Sequence, residues 1–348
     1  MIGEPTSPPP SAGNFDAALT TALQEAVPEA LRPVLDAASL LGGTPGWLLL
    51  ALLAFWWSGS RLGVRVAIVV ASSAVLNVYL KWMFAHPRPY FLSDQVRALQ
   101  PSDGFGMPSG HAQGSATAWG ALARWGGARW LWVTGAVMTF LSGFSRVYFG
   151  VHSLLQVVSG WVVGAAVVIL ASALEPPLTR WWGRASTAAR WAVAIAPAAL
   201  VFAGGIVLRA ALFDGWETPQ DWADRHRAVA LRLDPLGLAA DLLLIDLGAL
   251  ARWTGALLGA SLAALHYASP GRRPVAVGWW RERASNTAIG LPLAAGLLTA
   301  GELLLRRGVG VSAEILRFAA VVWVSAVVVP RLGRRLAAPA RGRSASIP

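Results

Sequence analysis

A chain of 348 residues that is 55% hydrophobic and only 14% charged, with a mean hydropathy of +0.52, is not an ordinary soluble domain, in which charged residues reach about 25%. The net charge of +11 does not indicate a nucleic-acid partner, because the basic residues sit in short segments between apolar runs, as in loops held at a membrane surface. The absence of cysteine excludes disulfides, thiolate nucleophiles and thiolate metal ligands, and leaves the redox compartment unread.

The opening stretch, 1–14, is rich in Pro, Ser and Gly and carries no Lys or Arg. It is expected to be a disordered tail rather than a signal peptide. From Phe15 to Leu41 apolar residues recur at helical spacing with Asp16, Glu25, Glu29 and Asp36 among them. That pattern predicts an amphipathic helix lying at the membrane interface over 15–43. Nine crossings are then expected, at 44–58, 65–84, 111–124, 131–149, 154–174, 190–212, 236–268, 287–305 and 312–330. The seventh is long and interrupted by Gly248, Gly255 and Gly259. If it crosses once, one side collects Arg61, Arg65, Arg124, Arg129, Arg180, Arg184, Arg190, Arg272, Arg273, Arg281, Arg283 and the basic tail, so that side is cytoplasmic. The expected architecture is an all-α polytopic transmembrane bundle. It comprises a core of five crossings over 44–185, a C-terminal region of four crossings over 186–335 and a basic tail over 336–348.

Tryptophan is abundant, at 18 residues, and Trp56, Trp57, Trp125, Trp130, Trp132, Trp181, Trp182, Trp191, Trp279 and Trp280 accompany the inward arginines. They are expected to form an aromatic belt at the cytoplasmic interface.

Polar residues cluster where three apolar helices end: Lys81 to Pro89, Pro108-Ser109-Gly110-His111, and Ser145-Arg146 followed at a distance by His152. On the expected topology all three lie on the extracytoplasmic side. Lys81, Arg88 and Arg146 supply three positive charges, enough to clamp a phosphoryl group. Ser109 and the Gly110 N–H add donors at a helix start. Two histidines permit a two-step displacement, one attacking phosphorus and the other moving the proton. No metal or other cofactor is required by this scheme. Lys81 is the only lysine in the chain, which suggests that a compact, flexible ammonium is needed there.

The ordered set Lys-x6-Arg-Pro, Pro-Ser-Gly-His and Ser-Arg-x5-His resembles the phosphatidic acid phosphatase type 2 superfamily, which includes lipid phosphate phosphatases, glucose-6-phosphatase and vanadium haloperoxidases. The resemblance covers residues 65–174. It implies His152 as nucleophile, His111 as general acid and base, and Lys81, Arg88, Ser109, Gly110 and Arg146 as phosphate binders. Four residues after His152, where most of the family has aspartate, this chain has Gln156, as in the glucose-6-phosphatase branch. A glutamine carbonyl fixes the imidazole tautomer but supplies no charge. An aspartate at this position is expected to preserve or raise activity, unless the polar geometry is tuned to the neutral amide.

Outside the resemblance, Asp241, Asp246 and Arg252 fall within the seventh crossing and Glu302 precedes Arg306 by one turn. Charges within the membrane point to function by default, but here the structural reading is preferred, with Glu302 and Arg306 as an (i, i+4) pair and Asp246 matched by a neighbouring helix. His226 and His266 have no partner at ligand spacing, so no metal site is expected. His86 either touches a headgroup or packs.

The activity implied is a metal-independent phosphatase embedded in the cell membrane, with its active site extracytoplasmic and its C-terminus cytoplasmic. Its partners are the bilayer and a phosphorylated lipid, with a sugar phosphate as the alternative substrate. A non-catalytic scaffold or transporter retaining the phosphatase core is the rival from another class.

Overall fold

The computed structural model describes residues 10–233, 241–268, 280–305 and 310–337, with side chains from residue 15 onward and excluding 300–305. Among these residues the only regular secondary structure is helical. The expected tail over 1–14 lies outside the described residues up to position 9, and helix α1 begins at Pro10 and runs to Ala26. The expected interfacial helix over 15–43 is two helices. Pro28, which has no N–H to donate, follows the end of α1 and Pro33 is accommodated in the first turn of α2, so a 3-10 turn over Glu29–Leu31 separates α1 from α2, Arg32–Gly42.

Neither piece is a detached surface helix. Gln24 on α1 donates to the Tyr148 carbonyl at 2.7 Å and the Arg97 carbonyl at 3.0 Å, and α2 packs along α7 (Trp130–Tyr148). After Gly43 the chain turns sharply into α3 (Thr44–Leu53), which continues as a π turn over Ala54–Ser58.

Helix α4 (Ser60–Phe84) is the central element, contacted by α6 (Gly110–Gly126), α8 (Leu154–Arg184), α9 (Thr187–Phe213) and α11 (Leu247–Ala268). It ends where Ala85 adopts a left-handed conformation (φ 44°) ahead of His86-Pro87-Arg88-Pro89, a sequence that cannot prolong a helix. The short α5 (Pro89–Leu92) and a long loop then lead to α6. Helix α10 (Gln220–Leu233) packs on α5, and α12 (Trp280–Leu305), α13 (Val311–Val327) and α14 (Val329–Ala337) complete the C-terminal part.

The protein is an integral membrane protein. Five spans are long and apolar enough to cross a bilayer: Ser60–Leu92, Leu154–Arg184, Thr187–Phe213, Leu247–Ala268 and Val311–Ala337. Glu29–Gly42 and Thr44–Ser58, bent by 66°, make a sixth if taken as one span. The expected crossings 111–124, 131–149 and 287–305 fall on helices outside this set. For the first two the helices themselves explain it: α6 is only 17 residues long and buries Gln113, Ser115 and Thr117, and α7 buries Ser142, Ser145 and Arg146; the apolar end of α12 lies outside the described side chains.

The seventh expected crossing is shorter than the sequence suggests, since α11 starts at Leu247 and residues 241–246 are irregular. Its glycines are not breaks. A Cβ on Gly255 would lie 2.2 Å from the Ile315 carbonyl oxygen, and one on Gly259 2.4 Å from that of Ala319. These glycines let α11 and α13 approach backbone to backbone, as small residues do in membrane bundles. The expected aromatic belt also loses one member. Trp56 is fully buried and donates to the Ser325 carbonyl at 3.3 Å, whereas Trp130 and Trp132 are exposed.

Because neither Ile315 nor Ala319 can withdraw its main chain without shifting α13, Gly255→Ala and Gly259→Ala are each expected to lower stability by about 1–3 kcal/mol. Gly296→Ala on α12, where an added methyl meets nothing within 4 Å, is expected to be neutral or stabilising. Thermal unfolding in detergent distinguishes the two cases, and equal melting temperatures would contradict the packing argument.

Candidate active site

The three polar segments converge at one end of the bundle. The backbone itself ties them together: Gly106 N–H donates to the His86 carbonyl at 2.7 Å, Ser109 N–H to the Gln156 carbonyl at 2.8 Å, and His152 N–H to the Arg146 carbonyl at 3.3 Å. Asn77, one turn before Lys81 on α4, donates to the Pro108 carbonyl at 3.2 Å and to Gln113 Oε1 at 2.8 Å, holding the start of α6 against α4.

A cavity of about 330 Å³ is lined by Lys81, Arg88, Gly110, His111 and His152 together with Trp47, Asp103, Asp246, Arg252 and Trp253. Arg146 and His111 also line a second, adjoining mouth beside Ser39 and Gln100. The structure therefore brings together Lys81, Arg88, Gly110, His111, His152 and Arg146. Ser109 sits directly at the start of α6, and Gln156 stands behind His152.

Arg88 is almost completely buried and its guanidinium is fully engaged. Nε donates to the Gly104 carbonyl at 2.9 Å, Nη2 to the Asp103 carbonyl at 2.5 Å, and Nη1 to the Val151 carbonyl at 2.9 Å and to His152 Nε2, also at 2.9 Å. Arg146 Nη1 donates to Ser39 Oγ at 2.7 Å and Gln100 Oε1 at 3.0 Å, while its Nε is buried without a partner. Among the described residues Lys81 Nζ has no hydrogen-bond acceptor, and none of the three cations has a carboxylate within 4 Å.

Ser109 Oγ is likewise buried without a partner. It caps α6 only by position, and the first N–H groups of that helix, Gly110 among them, lack intrahelical acceptors. Unpaired buried donors beside three cations at a helix N-terminus make a site for a multiply charged oxyanion.

The nucleophile candidate is held from behind. His152 Nδ1 lies 3.0 Å from Gln156 Oε1, and that oxygen also accepts the Ser153 N–H at 3.2 Å within the capping box that starts α8. The amide orientation is fixed on its other side too, because Gln156 Nε2 donates to the Pro87 carbonyl at 2.8 Å and stands 3.0 Å from His86 Nδ1. His152 is thus protonated on Nδ1, and its Nε2 lone pair faces Arg88 and the cavity. Burial, with Arg88, Arg146 and Lys81 close by, holds the His152 pKa well below the usual histidine value.

Gly106 is required at this point, since a Cβ there would fall 2.3 Å from Gln156 Nε2. His86, whose role the sequence leaves open, sits behind the nucleophile and lines a separate cavity with Phe15, Asp16 and Leu154.

Several residues of the site carry no signal in the motifs. Ser39 and Gln100 reach Arg146 from α2 and from the loop before α6. Trp47 stands edge-on to His111 with ring centroids 6.4 Å apart. His226 on α10, read from sequence as partnerless, is buried with Nδ1 3.1 Å from Tyr90 Oη, and Tyr90 in turn donates to the Ser102 carbonyl at 3.0 Å. Asp246, expected to be matched by a neighbouring helix, is instead paired at 2.8 Å with Arg252, six residues further along the same segment, and both line the cavity. The expected Glu302–Arg306 pair lies outside the described side chains.

Among the described residues, a helical membrane bundle whose cavities gather two histidines and three cations defines the class: a membrane protein with a cationic, histidine-bearing site. Comparison with known proteins agrees. Residues 62–180 match the PAP2 superfamily model, and the chain carries a PAP2 superfamily domain there. Undecaprenyl-diphosphatase of Sulfolobus acidocaldarius is 30% identical over 126 residues, 36% of this chain and 61% of that protein. Phosphatidylglycerophosphatase B of Bacillus subtilis is 24% identical over 136 residues, covering 36% and 64%. The chain thus spans less than two thirds of each of these relatives. A crystal structure of a transmembrane PAP2-type phosphatidylglycerolphosphate phosphatase from Bacillus subtilis aligns with 22% identity and a TM-score of 0.41, over 49% of this chain and 88% of that one.

The surroundings of Gln156 reverse the expectation for a carboxylate at this position. A carboxylate offers no proton to the Pro87 carbonyl and sets negative charge against it. Gln156→Glu, and the shorter Gln156→Asp, are therefore expected to lose activity, by tenfold or more for the isosteric glutamate. Gln156→Leu, which strands Nδ1–H, is expected to lose about as much. Phosphate release by the purified variants checks this, and a Gln156→Glu protein as active as the parent would show that the two amide donors are dispensable.

Proposed function

We propose that this protein is a membrane phosphatase that hydrolyses a phosphomonoester or pyrophosphate, of a lipid in the first place, through a phosphohistidine at His152. The observation that carries it is the His152 tautomer: Nδ1–H is given to Gln156, leaving the Nε2 lone pair in the cavity beside three cations that, among the described residues, have no carboxylate within 4 Å. The printed names of both relatives, undecaprenyl-diphosphatase and phosphatidylglycerophosphatase B, favour a lipid over a sugar phosphate.

The chemistry follows from the donor set. A phosphoryl oxygen takes the Arg88 Nη1 proton donor that otherwise rests on His152 Nε2, and the lone pair is thereby freed for attack. The unpaired Ser109 hydroxyl, the Gly110 N–H, Arg146 Nε and Lys81 hold the remaining oxygens and neutralise charge as phosphorus becomes pentacoordinate. The N–P bond forms, the P–O bond to the leaving group breaks, and His111 gives its proton to the departing alkoxide. Water then attacks phosphorus, His111 takes its proton, the N–P bond breaks, and inorganic phosphate leaves. Positive charge comes from side chains, so no metal takes part.

The topology proposed with this function has nine crossings, the shorter α6 and α7 and the longer α12 included, with the cavity extracytoplasmic and the C-terminus cytoplasmic. An impermeant maleimide on intact cells tests it in this cysteine-free chain. Gln95→Cys, in the loop before α6, is expected to label and Arg129→Cys, between α6 and α7, is not. The opposite pattern inverts the orientation.

Three outcomes test the chemistry. Activity is expected to survive excess EDTA and to be inhibited by vanadate, which adopts the pentacoordinate geometry. Loss on chelation with recovery on adding a divalent ion would refute the side-chain mechanism. His152→Ala is expected to form no phosphoenzyme, whereas His111→Ala is expected to accumulate one from a nitrophenyl ester, whose leaving group needs no acid. Finally, lowering pH protonates Nε2 and removes the nucleophile. Because the His152 pKa is depressed, the acid limb of phosphoenzyme formation is expected below the ordinary histidine value of about 6.5. A limb at or above that value would contradict the assigned environment.

A further inference from the structure

The cavity extends past the phosphoryl clamp to a second polar group that the proposed reaction does not use. The irregular segment before α11 contributes Asp246 to the same cavity, and the first turns of α11 contribute Arg252 and Trp253. Arg252 Nη2 pairs with Asp246 Oδ2 at 2.8 Å, and each side chain is about one-third exposed (33% and 35%) in a region otherwise lined by Leu243, Leu244 and Ala249. Arg252 Nη1 also lies 3.7 Å from Glu314 Oε1, and Glu314 is bound by Arg317 at 2.6 Å. Between this group and His111 stands an indole wall: Trp47 and Trp253 have ring centroids 5.7 Å apart.

From this arrangement we infer that the Asp246–Arg252 pair and the two tryptophans form a subsite for the leaving group, and that it takes a neutral, hydroxyl-bearing alcohol of the glycerol or sugar type rather than a second phosphate. The inference rests on the phosphatase reading above and narrows its substrate to a phosphomonoester.

The charge balance decides between the two ligands. The phosphoryl clamp holds three cations with no carboxylate within 4 Å, as a site for a dianion requires. The second group is its opposite. Asp246, Glu314, Arg252 and Arg317 sum to zero, and a phosphate bound at Arg252 would face the Asp246 carboxylate across a hydrogen-bond distance. A hydroxyl has no such conflict, for it donates to Asp246 and accepts from Arg252, and adjacent hydroxyls engage both at once. The indole faces supply an apolar surface for the C–H groups of such an alcohol, a combination usual in small-molecule sites.

The test is a matched comparison with purified protein in detergent. One pair of lipids shares its tail and differs in the esterified alcohol, a plain primary alcohol in one and a glycerol unit in the other. A diphosphate of the same tail is the third substrate, and propyl phosphate against glycerol 3-phosphate is the soluble pair. The hydroxyl-bearing ester is expected to have at least a tenfold higher kcat/KM, because a site built to bond a hydroxyl rejects the analogue that lacks it. A preference seen only with the tailed pair assigns the polyol to a lipid headgroup, and one of equal size in both pairs assigns it to a free polyol phosphate. Equal kcat/KM within each pair, or a diphosphate preferred to both esters, overturns the inference while leaving the phosphatase reading intact. No phosphate released from any substrate refutes that reading itself. Asp246→Asn and Arg252→Lys, which nearly conserve volume, are expected to bring the ratio within a pair down towards one, and an undiminished ratio in both variants would overturn the assignment of these residues.

Discussion

Everything at this site depends on keeping three positive charges together in a membrane protein with no carboxylate in direct ion-pair contact among the described residues. Such charges are expensive to bury, and the chain holds them with dipoles instead of counter-ions. Arg88 is held by the carbonyls of Asp103, Gly104 and Val151, and Arg146 by the neutral side chains of Ser39 and Gln100. Lys81 is left to the cavity. Dipoles hold the guanidiniums in place without cancelling their charge, so the field in the cavity stays positive and an oxyanion is the ligand it suits.

That constraint explains much of the surrounding fold. Carbonyls can be turned towards Arg88 only where the backbone is not helical, so the residues after α5 and after α7 are loops. These loops are fixed in turn: Tyr90 and His226 hold Ser102, Leu243 N–H donates to Asp103 Oδ1 at 3.3 Å, and Gly104 N–H donates to the Leu243 carbonyl at 2.8 Å. The polar content of α6 and α7 has the same origin. Gln113, Ser73 and Thr117 form a buried hydrogen-bonded group between α4 and α6, which sets the start of α6 in place at the expense of that helix's apolarity.

The parts legible in sequence are those with local signals. Apolar runs gave away α4, α8, α9, α11 and α13, and three short motifs marked Lys81, Arg88, Ser109, Gly110, His111, Arg146 and His152, because each sits at a fixed spacing where a helix begins or ends. What the sequence hid depends on distant contacts. Ser39 lies in a stretch whose charge pattern suggested an interfacial helix, and nothing local reveals that it meets a guanidinium on α7. Gly255 and Gly259 looked like interruptions because a glycine that breaks a helix and one that admits a neighbouring backbone are identical in one dimension. Gln156 looked like a weakened aspartate. Its three-sided hydrogen bonding to His152, Ser153 and Pro87 is visible only once the segment after α4 is folded behind it.

The C-terminal region, beyond the stretch that matches the family model, is part of the site rather than an appendage to it. Asp246, Arg252 and Trp253 line the cavity, and the Leu243 carbonyl and N–H close the loop whose carbonyls hold Arg88. Helix α11 itself is set by its glycine contact with α13, so the position of the cavity's far wall depends on helix packing within the C-terminal part. The histidines and cations of the motifs and the wall that α11 supplies are thus set by different parts of the fold. Selectivity for the leaving group is accordingly sought on α11 and the segment before it, and not among the histidines and cations of the motifs.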